Sequence, residues 1–158
     1  MTLTVTTPAP AAAVLDLYSA AVVMKPLHAK AAILQCARSQ SFLFEAAGVP
    51  IAATLLYPLD AERPGERLVE LAFVCLPELR QHLVSLIRLA HLTRGTLAQN
   101  GPVRVRAHVR HDHRPGHRLA ALCGMTLVGR VGAFDRYEFE GQPHDQLCQR
   151  GKIAFLGA

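Results

Sequence analysis

No two cysteines in this chain are close enough to form a CxxC pair. Cys36, Cys75, Cys123 and Cys148 are widely spaced, which argues against a zinc site. Cys75 and Cys123 sit in apolar segments and read as small core residues. Long apolar runs are also missing. No stretch approaches the roughly 20 residues of a membrane span. The start, MTLTVTTPAPAAA, lacks the basic residues and apolar run of a signal peptide. These absences read as a reduced protein of cytoplasmic type. Charged residues are few, at 18% against 51% hydrophobic, which excludes a disordered chain. There is no internal repeat and no low-complexity linker. No glycine-rich turn follows the first strand, which excludes a doubly wound nucleotide fold.

What is present fits one domain of 158 residues. A domain of that length buries about two thirds of its unfolded surface. The net charge of +5 is carried mostly by arginine and admits an anionic partner without naming one.

The hydrophobic pattern gives the order β-α-α-β-β-β-α-β-α-β-β. Residues 2–6 alternate weakly as an edge strand. Ala11 to Met24 is an Ala-rich helix stopped by Pro26, and Leu27 to Arg38 is a second helix. Ser41 to Ala46 and Val49 to Tyr57 are strands joined by an Ala47-Gly48 hairpin turn. Pro58 to Glu66 is a loop, and Arg67 to Cys75 a strand. Pro77 to Asn100 is mostly helix, with Leu79, Leu83, Leu86, Ala90 and Leu97 on one face. Asn100-Gly101-Pro102 stops it. Val103 to Val109 alternates strictly. Asp112 to Cys123 is a short helix ending at Gly124, and Met125 to Val131 and Phe134 to Phe139 are the last strands. This order predicts an α/β domain over 1–140, with a twisted mixed sheet and helices on both faces. Residues 141–158 form a C-terminal extension.

Residues Leu71 to Glu140, and more loosely the whole chain before them, resemble the GNAT N-acyltransferases. In that family the fourth strand leads into an Arg/Gln-x-x-Gly-x-Gly/Ala run at the start of the long helix, whose backbone amides hold the pyrophosphate of acyl-CoA. The physics is a helix N-terminus acting as an anion site. Here the run is Arg80-Gln81-His82-Leu83-Val84-Ser85. Arg80 matches and Ser85 is small. Leu83 replaces the first glycine, and its isobutyl group is expected where the loop should be open. His113 falls near the family's Asn after the fifth strand. Gly124-Met125 replaces Gly-Phe, and Ala120 stands where many members carry a Tyr general acid. His117-Arg118-Leu119 is similar to a pattern in phage-encoded members, some of them virion or internal-core proteins.

The resemblance implies acetyl-CoA as cofactor, held by residues 80–85 and His113. A strand amide, placed at Val74, polarises the thioester. An amine is the acceptor, and Glu70 is the base, directly or through water. It equally admits a fold kept for shape: a non-catalytic structural or interaction protein that contacts other subunits, virion proteins among them, through residues 141–158. The location is then cytoplasmic or virion.

Other residues have plainer readings. Glu78 favours the positive end of a helix dipole. The cluster of His108, His111, His113 and His117 is a polar turn rather than a metal site, because Arg104, Arg106 and Arg110 crowd it with positive charge. The stripe of Arg104, Arg106, His108 and Arg110 is too costly to bury unpaired. It predicts an open face or carboxylate partners, with Glu70 and Glu45 as candidates. Without interleaved aromatics it argues against nucleic acid.

Overall fold

The computed structural model describes residues 3–23 and 25–142. The order of elements follows the expected one: β1 (Leu3–Thr6), α1 (Ala11–Ala21), α2 (Pro26–Arg38), β2 (Gln40–Ala46), β3 (Val49–Leu59), β4 (Arg67–Cys75), α3 (Leu83–Ala98), β5 (Val103–Arg110), α4 (Arg114–Leu122), β6 (Thr126–Val131) and β7 (Phe134–Gly141). The seven strands hydrogen-bond in the order β1-β2-β3-β4-β5-β7-β6. The β1·β2, β2·β3, β5·β7 and β6·β7 ladders are antiparallel. The class is α/β, as expected.

Beyond shifts of one or two residues at several element ends, three differences from the sequence reading matter. α1 stops at Ala21, ahead of Pro26, because Val22 is extended and its N–H donates to Tyr18 O. Pro26 does not merely end a helix. It opens α2, where its fixed φ suits the first turn and no amide is missed. The long helix begins with a 3-10 turn, Pro77–His82, before α3 proper.

Packing divides the chain into two compact units, residues 1–58 with 70–86, and residues 59–69 with the chain from Ile87 onward. In the first unit α1 and α2 bring Val14, Leu17 and Cys36 against Leu43, Ala53, Leu55 and Val74. The β2–β3 register sets Leu43 opposite Ala53 and Ser41 opposite Leu55, so one face of the hairpin turns inward, apolar except for Ser41. Val14 and Leu55 are each only 1% exposed. Burial of each such aliphatic side chain contributes about 1.5–3 kcal/mol. Ser41 is also fully buried, and its Oγ accepts the Ala9 amide at 3.0 Å, which ties the β1–α1 connection to β2. Ala47 (φ 51°) and Gly48 (φ 77°) both take left-handed dihedrals. That is the twist a two-residue hairpin loop requires.

In the second unit the β5–β7 register places Val103, Val105 and Ala107 beside Gly141, Phe139 and Tyr137. The Arg94 guanidinium of α3 lies 3.8 Å from the Phe139 ring centroid and donates to Cys123 O at 3.2 Å. Gly124 follows α4 with φ 78°, and a Cβ there would have to push the Arg94 guanidinium aside. The left-handed backbone favours glycine there.

The cysteine reading is corrected in part. Cys75 is exposed at the end of β4 and Cys123 is only half-buried; the core cysteine is Cys36. An apolar run does not make its last residue inward-facing, and β4 ends at Cys75. Cys148 and the proposed docking segment lie outside the described residues.

Candidate functional sites

The first candidate lies in the first unit, where β4 runs into the 3-10 turn. Leu76 N–H donates to Ile51 O at 2.8 Å, and Leu79 N–H turns back to Leu76 O at 3.1 Å. Leu79, His82 and Leu86 are buried and Leu83 is half-buried, whereas Arg80, Gln81, Val84 and Ser85 are exposed. Leu83 therefore lies on the inward stripe. Its dihedrals (φ −55°, ψ −40°) are ordinary right-handed helix, so the backbone does not demand glycine there. This corrects the expectation that its isobutyl group closes an open loop. The departure from the family pattern is different in kind. A 3-10 turn bonds each amide to the carbonyl three residues back, so the amides of Arg80, Gln81 and His82 are turned onto the protein. The polar groups presented to solvent there are the side chains of Arg80, Gln81 and Ser85. Arginine can hold a phosphate in bidentate fashion without help from a backbone cradle.

Upstream in β4, Glu70 is half-buried and Val74 is buried. Alternation sets Glu70 on the side of Ala72 and Val74, which pack toward the core of the first unit.

The second unit holds two polar constellations. One is the expected arginine stripe, and the carboxylates that meet Arg104 and Arg106 are Glu62, Glu66 and Glu138. Arg104 (side chain 5% exposed) pairs with Glu62 at 2.9 Å, Glu66 at 3.1 Å and Glu138 at 3.5 Å. Arg106 pairs with Glu62 at 2.9 Å and Glu138 at 3.0 Å. Glu45, named as a partner from the sequence, instead accepts from Thr6 Oγ1 at 3.1 Å. Glu62 and Glu66 come from the loop before β4, and Glu138 from β7, directly opposite Arg106. Arg63 adds Glu140 at 3.0 Å, and Arg136 lies 3.5 Å from Glu138. Burial works against the charge on Arg104 and Arg106, yet the surrounding carboxylates outweigh it and hold both pKa values above the ordinary one. The hydrogen bond from Arg106, with both arginine charges behind it, holds the Glu62 carboxyl below its usual range. The stripe is thus a neutralised network rather than an open cationic face.

The other constellation surrounds Asp135, a buried carboxylate on β7 that the sequence reading missed. His111 Nδ1 lies 2.9 Å from its Oδ2, and Arg130 Nε donates to Oδ1 at 3.0 Å. The bond from His111, and then Arg130, depresses the Asp135 pKa. Arg130 Nη2 lies 2.6 and 3.1 Å from the two nitrogens of His111. With the Nδ1 proton on the carboxylate, Nε2 is the acceptor that Arg130 can use. His117 Nε2 faces the carbonyls of Arg110 and His111 at 3.0 and 3.2 Å. Carbonyls only accept, so Nε2 carries the proton and Nδ1 accepts from the Tyr137 hydroxyl at 2.9 Å. His117 therefore anchors α4 to β5 and β7. The other sequence-derived positions are plainer. His113 is the exposed N-cap residue of α4, without a side-chain cap bond, and Ala120 is buried on that helix. Nothing local in the sequence singled out Asp135: it is one of three acids in β7 (FDRYEFEG), and its partners lie in other elements.

Comparison with known proteins gives a fold. No family model matches the chain, and no curated protein matches it in sequence. Solved structures do match. PaiA N-acetyltransferase from Thermoplasma acidophilum, solved in complex with coenzyme A, superposes with a TM-score of 0.61 at 10% identity, over 87% of this chain and 98% of that one. The GNAT domain of PAT from S. lividans gives 0.61 at 14% identity, over 87% and 89%. This chain has the GNAT fold. An N-acetyltransferase from Staphylococcus aureus Mu50 gives 0.60 at 13% identity, over 89% and 99%. The GNAT neighbours thus span nearly the whole described chain. Among the described residues, no helix is long and apolar enough to cross a membrane.

Proposed function

We propose that this GNAT-fold chain is an acetyl-CoA-dependent N-acyltransferase that passes an acetyl group directly to an amine. The observation that supports it is the fold itself, shared over most of the chain with acetyltransferases, one of them solved with coenzyme A. The exposed Arg80, Gln81 and Ser85 at the entry to α3 are the side chains proposed to meet the cofactor phosphates. Leu83 forms the helix beneath them, Val84 is exposed beside them, and His82 is the buried support. When bound, the cofactor supplies the activated acetyl group. The Val74 amide is the proposed donor to the thioester oxygen, and Glu70 the proposed acceptor of the amine proton. Catalysis then rests mostly on positioning.

A second reading keeps the fold for shape alone, with other protein subunits as partners. The amides turned inward by the 3-10 segment and the buried Ala120 in place of a phenol favour it. The His117-Arg118-Leu119 pattern adds nothing to it, because His117 has a structural task.

Calorimetric titration of acetyl-CoA at low and moderate salt separates the two. Saturable one-to-one binding that weakens at least tenfold in Arg80→Ala supports acyl transfer. Absence of binding at millimolar ligand overturns it.

A further inference from the structure

A shallow depression of about 330 Å³ opens in the second unit, lined by Arg110, His111, Asp112, Arg130, Gly132 and Ala133. It lies where β5 ends and the β6–β7 turn closes, and His111 N–H donates to Ala133 O at 3.0 Å to hold the two together. Two guanidiniums border it, and they are held differently. Arg130 is anchored through Nε to the buried Asp135 and through Nη2 to His111. Its plane is fixed while 56% of the side chain remains exposed. Arg110 is bonded through Nη2 to Asp112 at 2.7 Å, with both side chains about two-thirds exposed. Such an exposed pair is worth only about 0–1 kcal/mol, so an incoming anion can take the place of Asp112 at little cost. A fixed guanidinium and an exchangeable one form a preorganised pair of donors, with the His111 imidazole at the rim as a reporter. Gly132 leaves its own side of the depression clear, since a Cβ there would meet nothing within 4 Å.

We propose that this depression binds a small organic anion, a carboxylate or a phosphate monoester, between Arg110 and Arg130, with Asp112 as the resident carboxylate that it displaces. The site is independent of the acyl-transfer reading. It belongs to the end of β5 and the loop after it, to β6 and to the β6–β7 turn, and none of its residues is among those proposed to meet the cofactor.

The test is a titration at fixed pH, with methyl phosphate and acetate as separate probes, read by NMR at the assigned imidazole resonances. A saturable shift confined to His111 is expected, with a dissociation constant in the millimolar range. The anion with the lower constant identifies the chemistry. Arg110→Ala, an exposed change remote from Asp135, should weaken binding at least fivefold. Asp112→Asn should tighten it severalfold, because the competing carboxylate is gone. Shifts that do not saturate, shifts shared equally by the other histidines, or an Arg110→Ala variant that binds as the parent does would each overturn the proposal.

Discussion

Glu138 accepts from Arg106 Nε at 3.0 Å and lies 3.5 Å from both Arg104 and Arg136. Its removal leaves two buried guanidiniums short of a counter-charge. Loss of one member of a buried charge set typically costs about 3–5 kcal/mol, and Glu138→Ala is expected to fall in that range by urea unfolding. Asp135 makes a prediction about acid. Its folded pKa lies below the ordinary carboxylate value because His111 and Arg130 favour the anion. The stability this gives is fully present above the unfolded value of about 4, and is lost as pH falls toward the folded value. Glu62 acts in the same direction. Asp135→Asn should therefore flatten the acid limb of a stability–pH curve below about pH 4; an unchanged slope would contradict the assignment. These contacts were hidden in the sequence for a common reason. Arg106 and Glu62 are 44 residues apart, and alternation says which residues share a face but not which loop returns to cover it.

Elements were more legible. β4 runs from Arg67 to Cys75 as read from its apolar run, and Ala47-Gly48 is the turn between β2 and β3. Both are local signals, fixed by neighbouring residues. The entry to α3 was less legible, since Pro77 to Ala98 carries one continuous helical stripe and the stripe alone does not separate 3-10 from α geometry. That distinction decides where the amides of residues 80–82 point, and so reshapes the expected phosphate site. The fold was therefore readable, whereas the chemistry of the candidate site was readable only as far as its residue names. The hairpin supplies its own test. Ala47 adopts φ 51°, a left-handed conformation that costs a non-glycine residue about 1–2 kcal/mol and that asparagine tolerates better. Ala47→Asn should raise stability by about 0.5–1 kcal/mol, or roughly 1–4 °C in the melting midpoint for a chain of this size.

At the scale of the molecule, a ligand that binds only the folded state raises its melting temperature. Acetyl-CoA at 100 times its dissociation constant should add about 2.7 kcal/mol, a rise of roughly 5–10 °C that differential scanning fluorimetry would detect. No shift at millimolar acetyl-CoA would favour the reading in which the fold serves as shape alone.

The Arg–Glu network also constrains how this sequence can change. A buried ion cluster can often be exchanged for apolar residues of similar volume with little loss of stability. Positions 62, 66, 104, 106, 136 and 138 are bound to one another closely enough that a single replacement strands the remaining charges. Each of the first steps along such a route is uphill even where the destination is level. Drift at these positions is therefore coupled, and a viable variant of one should carry compensating changes at the others.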